Sequence, residues 1–157
     1  GQASPVRVRR CSRDAGARQV ISVDTNVLAR FYVDDPGDPE ARKQRPVARS
    51  IMQQPSIFVP ITVLLELEWV TRAFYEFSPS DFASVVNHLL GLSNVVVESR
   101  SAVMAAIDAH VAGLDFADAL HLGASAHCTS LVTFDDKGFV RRARRLGLQP
   151  VVELAGR

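Results

Sequence analysis

The chain has 157 residues, enough for one domain with a sizeable core, and its content of 47% apolar and 22% charged residues excludes a disordered chain. No run approaches the roughly 20 apolar residues that a membrane span needs, so we expect no membrane partner. The formal net charge of +1 conceals an asymmetry, because residues 1–18 carry five arginines and one aspartate.

This Arg-rich segment, residues 1–18, has little apolar content and no periodic pattern. We interpret it as a disordered arm or an expression remnant, rather than as a nucleic-acid-binding element, and we assign residues 19–157 to a single domain. Cys11 and Cys128 form no metal-binding or disulfide pattern, which predicts a reducing, cytoplasmic location.

From residue 19 onward, short apolar runs alternate with longer segments that carry helix signals. Asp38 and Ser78 each precede a proline, an arrangement typical of a helix start, and Asp115 is placed to cap a helix that begins at Phe116. Strands that are continuously apolar and separated by helices predict an α/β domain with a mostly parallel sheet. The predicted strands are residues 20–23, 57–60, 95–97, 130–134 and 150–154.

Two acidic residues stand out in the first half of the chain. Asp24 ends the first strand, where capping the next helix is the alternative role. Glu66 lies in "ITVLLELEWVTRAF" and, at about 100° per residue, falls within the apolar arc of that helix. Glu68 falls on the opposite side, four residues before Arg72, as expected for an exposed ion pair. The pattern therefore predicts a buried Glu66, which is costly unless paired or metal-bound, and a solvated Glu68.

Two further acidic residues come from the second half. Asp118 lies in the first turn of the helix after Asp115, where the helix dipole alone already favours a negative charge. Asp135 directly continues the fourth strand and Asp136 follows it. We favour Asp135 as the inward-facing member of this pair, with Asp136 facing solvent.

The carboxyl ends of parallel strands meet at one edge of the sheet, so we expect these four acids to converge there. Converging carboxylates repel one another, and a hard divalent cation removes that repulsion. A donor set made only of carboxylate oxygens favours Mg²⁺ or Mn²⁺ over zinc. The sequence therefore predicts a metal site that activates water and holds a phosphate oxygen.

Four stretches around these acids resemble, in order, those of the PIN-domain ribonucleases, and within them the VapC-type toxins of bacterial toxin–antitoxin pairs. They are "ISVDTNVLARFYVDD", "FVPITVLLELEWVTRAFY", "LDFADALHLGASAHC" and "LVTFDDKGF". The resemblance implies a PIN-like α/β/α sandwich with a five-stranded, mostly parallel sheet. It also implies Mg²⁺- or Mn²⁺-dependent endoribonuclease activity, a VapB-like antitoxin as inhibitor, and a homodimer or toxin–antitoxin hetero-oligomer.

The resemblance also assigns roles to individual side chains. The four catalytic, metal-binding acids of the family map onto Asp24, Glu66, Asp118 and Asp135. Side chains expected to orient these ligands or water are Asn26 and Thr133, with Asp115 and Asp136 at positions that are often acidic.

The RNA substrate is expected to be single-stranded or looped, since such regions expose their bases. An arginine-rich run follows the Asp135 loop, and contact with RNA phosphates and a solvated helix face are equally favoured interpretations of it. The arginines concerned are Arg141, Arg142, Arg144 and Arg145.

Three other functions fit part of the pattern. A receiver domain needs a lysine at the end of a late strand, which is missing, and a haloacid-dehalogenase-type phosphatase needs a second aspartate where Asn26 stands. A catalytically silent PIN-fold interaction module is the third alternative. The presence of all four acids argues against it, and metal binding would distinguish it from a nuclease.

Overall fold

Five short parallel strands organise the computed structural model, which describes residues 18–156. All five predicted strands are confirmed, the third with the predicted bounds and the other four slightly shorter: β1 (Ile21–Ser22), β2 (Ile57–Val59), β3 (Val95–Val97), β4 (Ser130–Thr133) and β5 (Val151–Leu154). The prediction for the Arg-rich segment falls outside the described residues, except at Arg18.

The strands form two ladders. One has the order β1–β2–β3 and the other joins β4 to β5, all in parallel. Ile21 lies opposite Ile57, Ile57 opposite Val95, and Ser130 opposite Val151. Within residues 18–156 no ladder joins the two groups, so the predicted five-stranded sheet is found only in part. A β1 of two residues offers few backbone groups for a second ladder.

Helices connect the strands, and their starts follow the predicted capping signals. Asp38 accepts a hydrogen bond from the backbone N–H of Glu40, and Ser78 forms a reciprocal capping box with Asp81. The helices are α1 (Thr25–Tyr32), α2 (Pro39–Met52), α3 (Ile61–Tyr75), α4 (Pro79–Gly91), α5 (Arg100–Val111), α6 (Phe116–Ala124) and α7 (Arg141–Arg145), the last preceded by a π-helical turn (Asp136–Val140).

The apolar core fixes the helices that carry the acidic residues. Ile57 and Val59 of β2 are fully buried, and the rings of Phe82 in α4 and Phe116 in α6 meet edge to face at 5.0 Å. Helix α1 packs against α2 and α3, while α6 packs against α5 and α3. The starts of α1 and α6 are thereby held on a common framework.

No helix among residues 18–156 combines the length and the apolar character needed to cross a bilayer.

Helix α3 contradicts the sequence prediction about its two glutamates. Its buried residues, Leu64, Leu67, Glu68 and Thr71, follow the i, i+3, i+4, i+7 spacing of a core-facing stripe. Glu68 is 5% exposed, whereas Glu66 is exposed. The prediction was wrong because much of the apolar arc, including Trp69, faces away from the core.

Candidate acidic site

Three of the predicted site residues accept a hydrogen bond from a backbone N–H three residues further along the chain. Asp24 accepts a hydrogen bond from the N–H of Val27 at 3.1 Å, Asp115 from that of Asp118 at 3.1 Å, and Asp135 from that of Gly138 at 2.7 Å. In each case Oδ1 is the acceptor. Each cap therefore fixes a carboxylate at the beginning of a helix or turn and leaves the side chain exposed.

Asp118 lies where negative charges accumulate. Partial burial raises the pKa of Asp118, and the charges of Asp115 and Asp135 raise it further, while His121 acts in the opposite direction. Asp115 and Asp118 are held together by the cap of α6, whereas Asp135 comes from the end of β4. The charges of acids from two separate elements thus act on Asp118.

Glu66 joins this group through a cleft between α3 and the start of α6. The cleft has a volume of about 410 Å³, and Glu66, Glu68, Trp69, Arg72 and Asp115 belong to its lining. Glu66 therefore shares an open space with Asp115, whose side chain accepts a hydrogen bond from the backbone N–H of Asp118. Glu66 is exposed in this cleft, whereas the helical pattern predicted that it would be buried.

Asp24 lines a different depression. Together with Asn26, Lys43 and Val47 it borders a groove of about 320 Å³ between α1 and α2. Asp24 and Asn26 therefore border the groove between α1 and α2, while Glu66 and Asp115 border the cleft beside α6.

The loop after β4 distinguishes Asp135 from Asp136. The backbone N–H of Asp135 donates to Thr133 Oγ1 at 3.1 Å, while Asp136 forms an ion pair with Arg141 at 2.8 Å. The charge of Asp135 acts on Asp118. This arrangement favours Asp135 over Asp136 as the site acid and gives Thr133 a role in shaping the loop.

The position of Asp135 depends on the missing side chain at Gly138. A Cβ atom at residue 138 would collide with the Asp135 carboxylate, whereas at Gly91, at the end of α4, a Cβ atom would meet nothing within 4 Å.

We expect Gly138→Ala to displace the Asp135 carboxylate and to lower any activity that depends on it by about 10–100-fold, the usual cost of disturbing a ligand's support. The measurement is the cleavage rate of RNA by the purified variant. Gly91→Ala is the matched control, with unchanged activity. Equal rates for the two variants would contradict the expected dependence of the activity on the position of the Asp135 carboxylate.

The arginines of α7 have partly structural partners. Arg141 pairs with Asp136, and Arg142 donates to the carbonyl oxygen of Gly113 at 2.7 Å, which ties α7 to the loop before α6. Arg144 and Arg145 are exposed. Their contact with RNA stays a prediction.

Several polar residues near the site were missed by the sequence analysis. Glu98 Oε2 accepts a hydrogen bond from the N–H of Ile61 at 2.7 Å and so caps α3, whose own N-cap residue is Pro60. Glu98 directly follows β3, and the rule used for Asp24 would have found it. The buried Glu68 binds Arg72 Nε at 2.8 Å, with His110 Nε2 3.8 Å away. Only the tertiary packing of α3 reveals this second cluster.

The donor chemistry suits a hard divalent cation, because the candidate ligands are all carboxylates and because the charges of Asp115 and Asp135 add to the effect of burial in raising the pKa of Asp118. A bound Mg²⁺ or Mn²⁺ would relieve that repulsion. Among residues 18–156, however, no three Asp, Glu, His or Cys side chains meet at one ligand position. The side chains therefore fit the cation in their chemistry, and no closed ligand set is formed.

Comparison with known proteins agrees with this architecture of parallel strands with acidic residues at their carboxyl ends. Residues 21–145 match the family model of the PIN domain. The chain therefore belongs to the PIN domain family, which is generally a nuclease fold and typically uses divalent metal ions. No match was found among curated proteins.

Proposed function

We propose that this chain is a Mg²⁺- or Mn²⁺-dependent endoribonuclease. The observation that carries the proposal is the grouping of Asp118 with Asp115 and Asp135 at the start of α6 and the end of β4, within a PIN domain. Glu66 extends this acidic surface into the adjoining cleft. Like charges brought together are a costly arrangement, and a bound divalent cation compensates it in a cation-dependent phosphodiesterase.

In this proposal Asp24, Glu66, Asp118 and Asp135 hold the cation, which lowers the pKa of a water molecule and neutralises charge on the phosphate when bound. The chain's own residues do the positioning. Asp115 fixes the first turn of α6 and thereby the backbone of Asp118, and Thr133 supports the backbone of Asp135. Asn26 is exposed two residues after Asp24, where its amide can orient water.

We further propose that the nuclease is the toxin of a type II toxin–antitoxin system, acting on single-stranded or looped RNA in the cytoplasm. Support comes from the resemblance of the four sequence stretches to VapC-type toxins. A VapB-like antitoxin and assembly as a homodimer or hetero-oligomer belong to the same proposal. An amphipathic antitoxin helix in an apolar groove, with a basic side chain at the acids, is a physically reasonable inhibitory complex.

Removal of metal tests the core of the proposal. We expect the purified full chain to cleave single-stranded RNA in Mg²⁺ or Mn²⁺ and to lose this activity in a chelator, with recovery when the metal is restored. The measurement is gel analysis of a labelled oligoribonucleotide over time. Cleavage that persists at full rate in the chelator would reject the metal-dependent reaction.

A catalytically silent interaction module is the second candidate. It is favoured by the finding that no three potential ligands among the described residues meet at one point. Calorimetric titration with Mn²⁺ separates the two candidates. Saturable binding that is lost in Asp118→Asn supports the nuclease, whereas no heat of binding supports the silent module.

A further inference from the structure

Arg72 is held in the cleft beside the acidic site by a buried carboxylate. Glu68 accepts the hydrogen bond from Arg72 Nε, and the Glu68 side chain is only 6% exposed, compared with 54% for Arg72. Burying a carboxylate costs free energy unless a partner compensates, and here the compensation comes from a guanidinium that itself stays in solvent. The hydrogen bond engages Nε, which leaves Nη1 and Nη2 as further donors on a side chain that is 54% exposed.

The exposed guanidinium of Arg72 lies in a cleft that acidic residues also line. Arg72 and Glu66 line the same cleft, and the charge of Asp115 also acts on Arg72. An arginine in the cleft that adjoins the proposed cation-binding acids is suited to bind a further phosphate of the same RNA strand. The guanidinium geometry matches two phosphate oxygens, which a lysine cannot contact in the same paired way.

Trp69 supplies an aromatic surface in the same cleft. It lies three residues before Arg72 on α3, so the two side chains share a helix face. The residue is 51% exposed, and its ring meets Phe74 edge to face at 5.6 Å. The contact with Phe74 orients the indole, and a flat, half-exposed indole beside a fixed guanidinium has the chemistry of a nucleotide subsite.

We propose that the cleft between α3 and the start of α6 is a subsite for one nucleotide of single-stranded RNA, with its base stacked on Trp69 and its phosphate bound by Arg72. This inference rests on the proposed ribonuclease function. Glu68 is a positioning residue in it, because it acts only through Arg72. The sequence analysis predicted a solvated Glu68, whereas its burial beside Arg72 gives it this positioning role.

A second copy of this chain is the competing occupant of the exposed apolar surface around Trp69. The placement of the indole beside Arg72 and Glu66 favours RNA, because a phosphate complements the guanidinium and a base covers the indole. The two occupants predict different behaviour of Trp69, which is the single tryptophan of the chain and so can be observed without labelling.

The experiment uses the full-length Asp118→Asn variant, which retains RNA during a titration. A single-stranded oligoribonucleotide of about ten nucleotides, within the usual range of site sizes, is added while Trp69 emission is recorded, and binding is followed separately by anisotropy of a labelled strand. We expect saturable quenching with the same midpoint as the anisotropy curve. A strand of the same length without bases is expected to bind without quenching.

Substitutions of Trp69 and Arg72 then separate the contribution of the base from that of the phosphate. We expect Trp69→Ala to weaken binding by about 5–150-fold, and Trp69→Phe to restore most of it, because stacking needs an aromatic face. Arg72→Lys is expected to keep the charge but to lower affinity, and Arg72→Gln to reduce the slope of log affinity against log salt by about one.

Two outcomes would overturn the subsite. If anisotropy shows RNA binding without any change in Trp69 emission, no base stacks on the indole and the subsite is rejected. The ribonuclease proposal would still stand if the unmodified chain cleaves RNA. Emission that changes with protein concentration and not with RNA would assign the surface to a second copy. Absence of both binding and cleavage would reject the ribonuclease function together with the subsite.

Discussion

Replacement of Asp118 by asparagine is expected to lower the rate of RNA cleavage by about 100-fold or more while leaving the protein folded. Disturbing a group that merely supports a metal ligand costs about 10–100-fold, so loss of a ligand's charge should cost at least as much. Asp118 is chosen because Asp115 and Asp135 both act on it. The measurement is the single-turnover cleavage rate at saturating Mg²⁺ or Mn²⁺.

The same substitution is expected to stabilise the metal-free protein at neutral pH. The folded-state pKa of Asp118 is raised, so the folded chain binds the proton more tightly than the unfolded chain does. The stabilising contribution is complete below the unfolded-state pKa of about 4 and is lost as pH rises through the raised value. Asparagine cannot ionise, and its advantage should therefore appear at neutral pH and vanish in acid.

Thermal unfolding in a chelator, from about pH 4 to about pH 7, measures this effect. Asp108→Asn, an exposed acid on α5, is the matched control and should alter neither activity nor stability by much. A variant that is inactive and less stable at neutral pH would instead make Asp118 a structural residue of α6, the alternative that its first-turn position had left open.

The sequence predicted those parts of the fold that short-range physics determines. Five strands appeared where continuous apolar runs were found, and Asp38, Ser78 and Asp115 cap helices as expected, because an N-cap contact spans only two or three residues. These signals also located Asp24 and Asp135 after their strands. Their placement at the carboxyl ends of β1 and β4 followed from the predicted strand bounds alone.

The burial of α3 could not be predicted in the same way. An apolar arc on a helix indicates the core only if all of it is covered, and which part is covered depends on where α1 and α6 pack. Trp69 and Phe74 belong to the arc and are exposed, whereas Glu68 and Thr71 lie in the covered stripe. Thr71 Oγ1 bonds to the carbonyl oxygen of Leu67 at 2.8 Å, and Glu68 to Arg72, so both polar groups are satisfied.

The division of the strands into two ladders could not be predicted from the sequence either. Continuous apolar runs identify strands but carry no information on which neighbour each one pairs with. Asp24 belongs to the β1 group and Asp135 to the β4 group. The distance between the two halves of the predicted metal site therefore depends on tertiary packing, whereas the contact between Asp115 and Asp118 is local to one helix start.

The two glutamates of α3 provide the sharpest separation of function from stability. We expect Glu66→Gln to lower cleavage by about 100-fold while shifting the free energy of unfolding by no more than about 0.5 kcal/mol, since the side chain is exposed in the cleft. Glu68→Gln is expected to cost about 1–3 kcal/mol, because it weakens a charge-assisted hydrogen bond of a buried group.

Thermal unfolding and cleavage assays on this matched pair give the result directly. At about 2–4 °C per kcal/mol for a chain of this size, the melting temperature of Glu68→Gln should fall measurably while that of Glu66→Gln stays constant. Because both changes replace a carboxylate by an amide of the same shape on one helix, differences in size or helix propensity do not contribute. If Glu66→Gln were the destabilised variant and Glu68→Gln the inactive one, the orientation of α3, the acidic cleft and the role of Arg72 would all have to be abandoned.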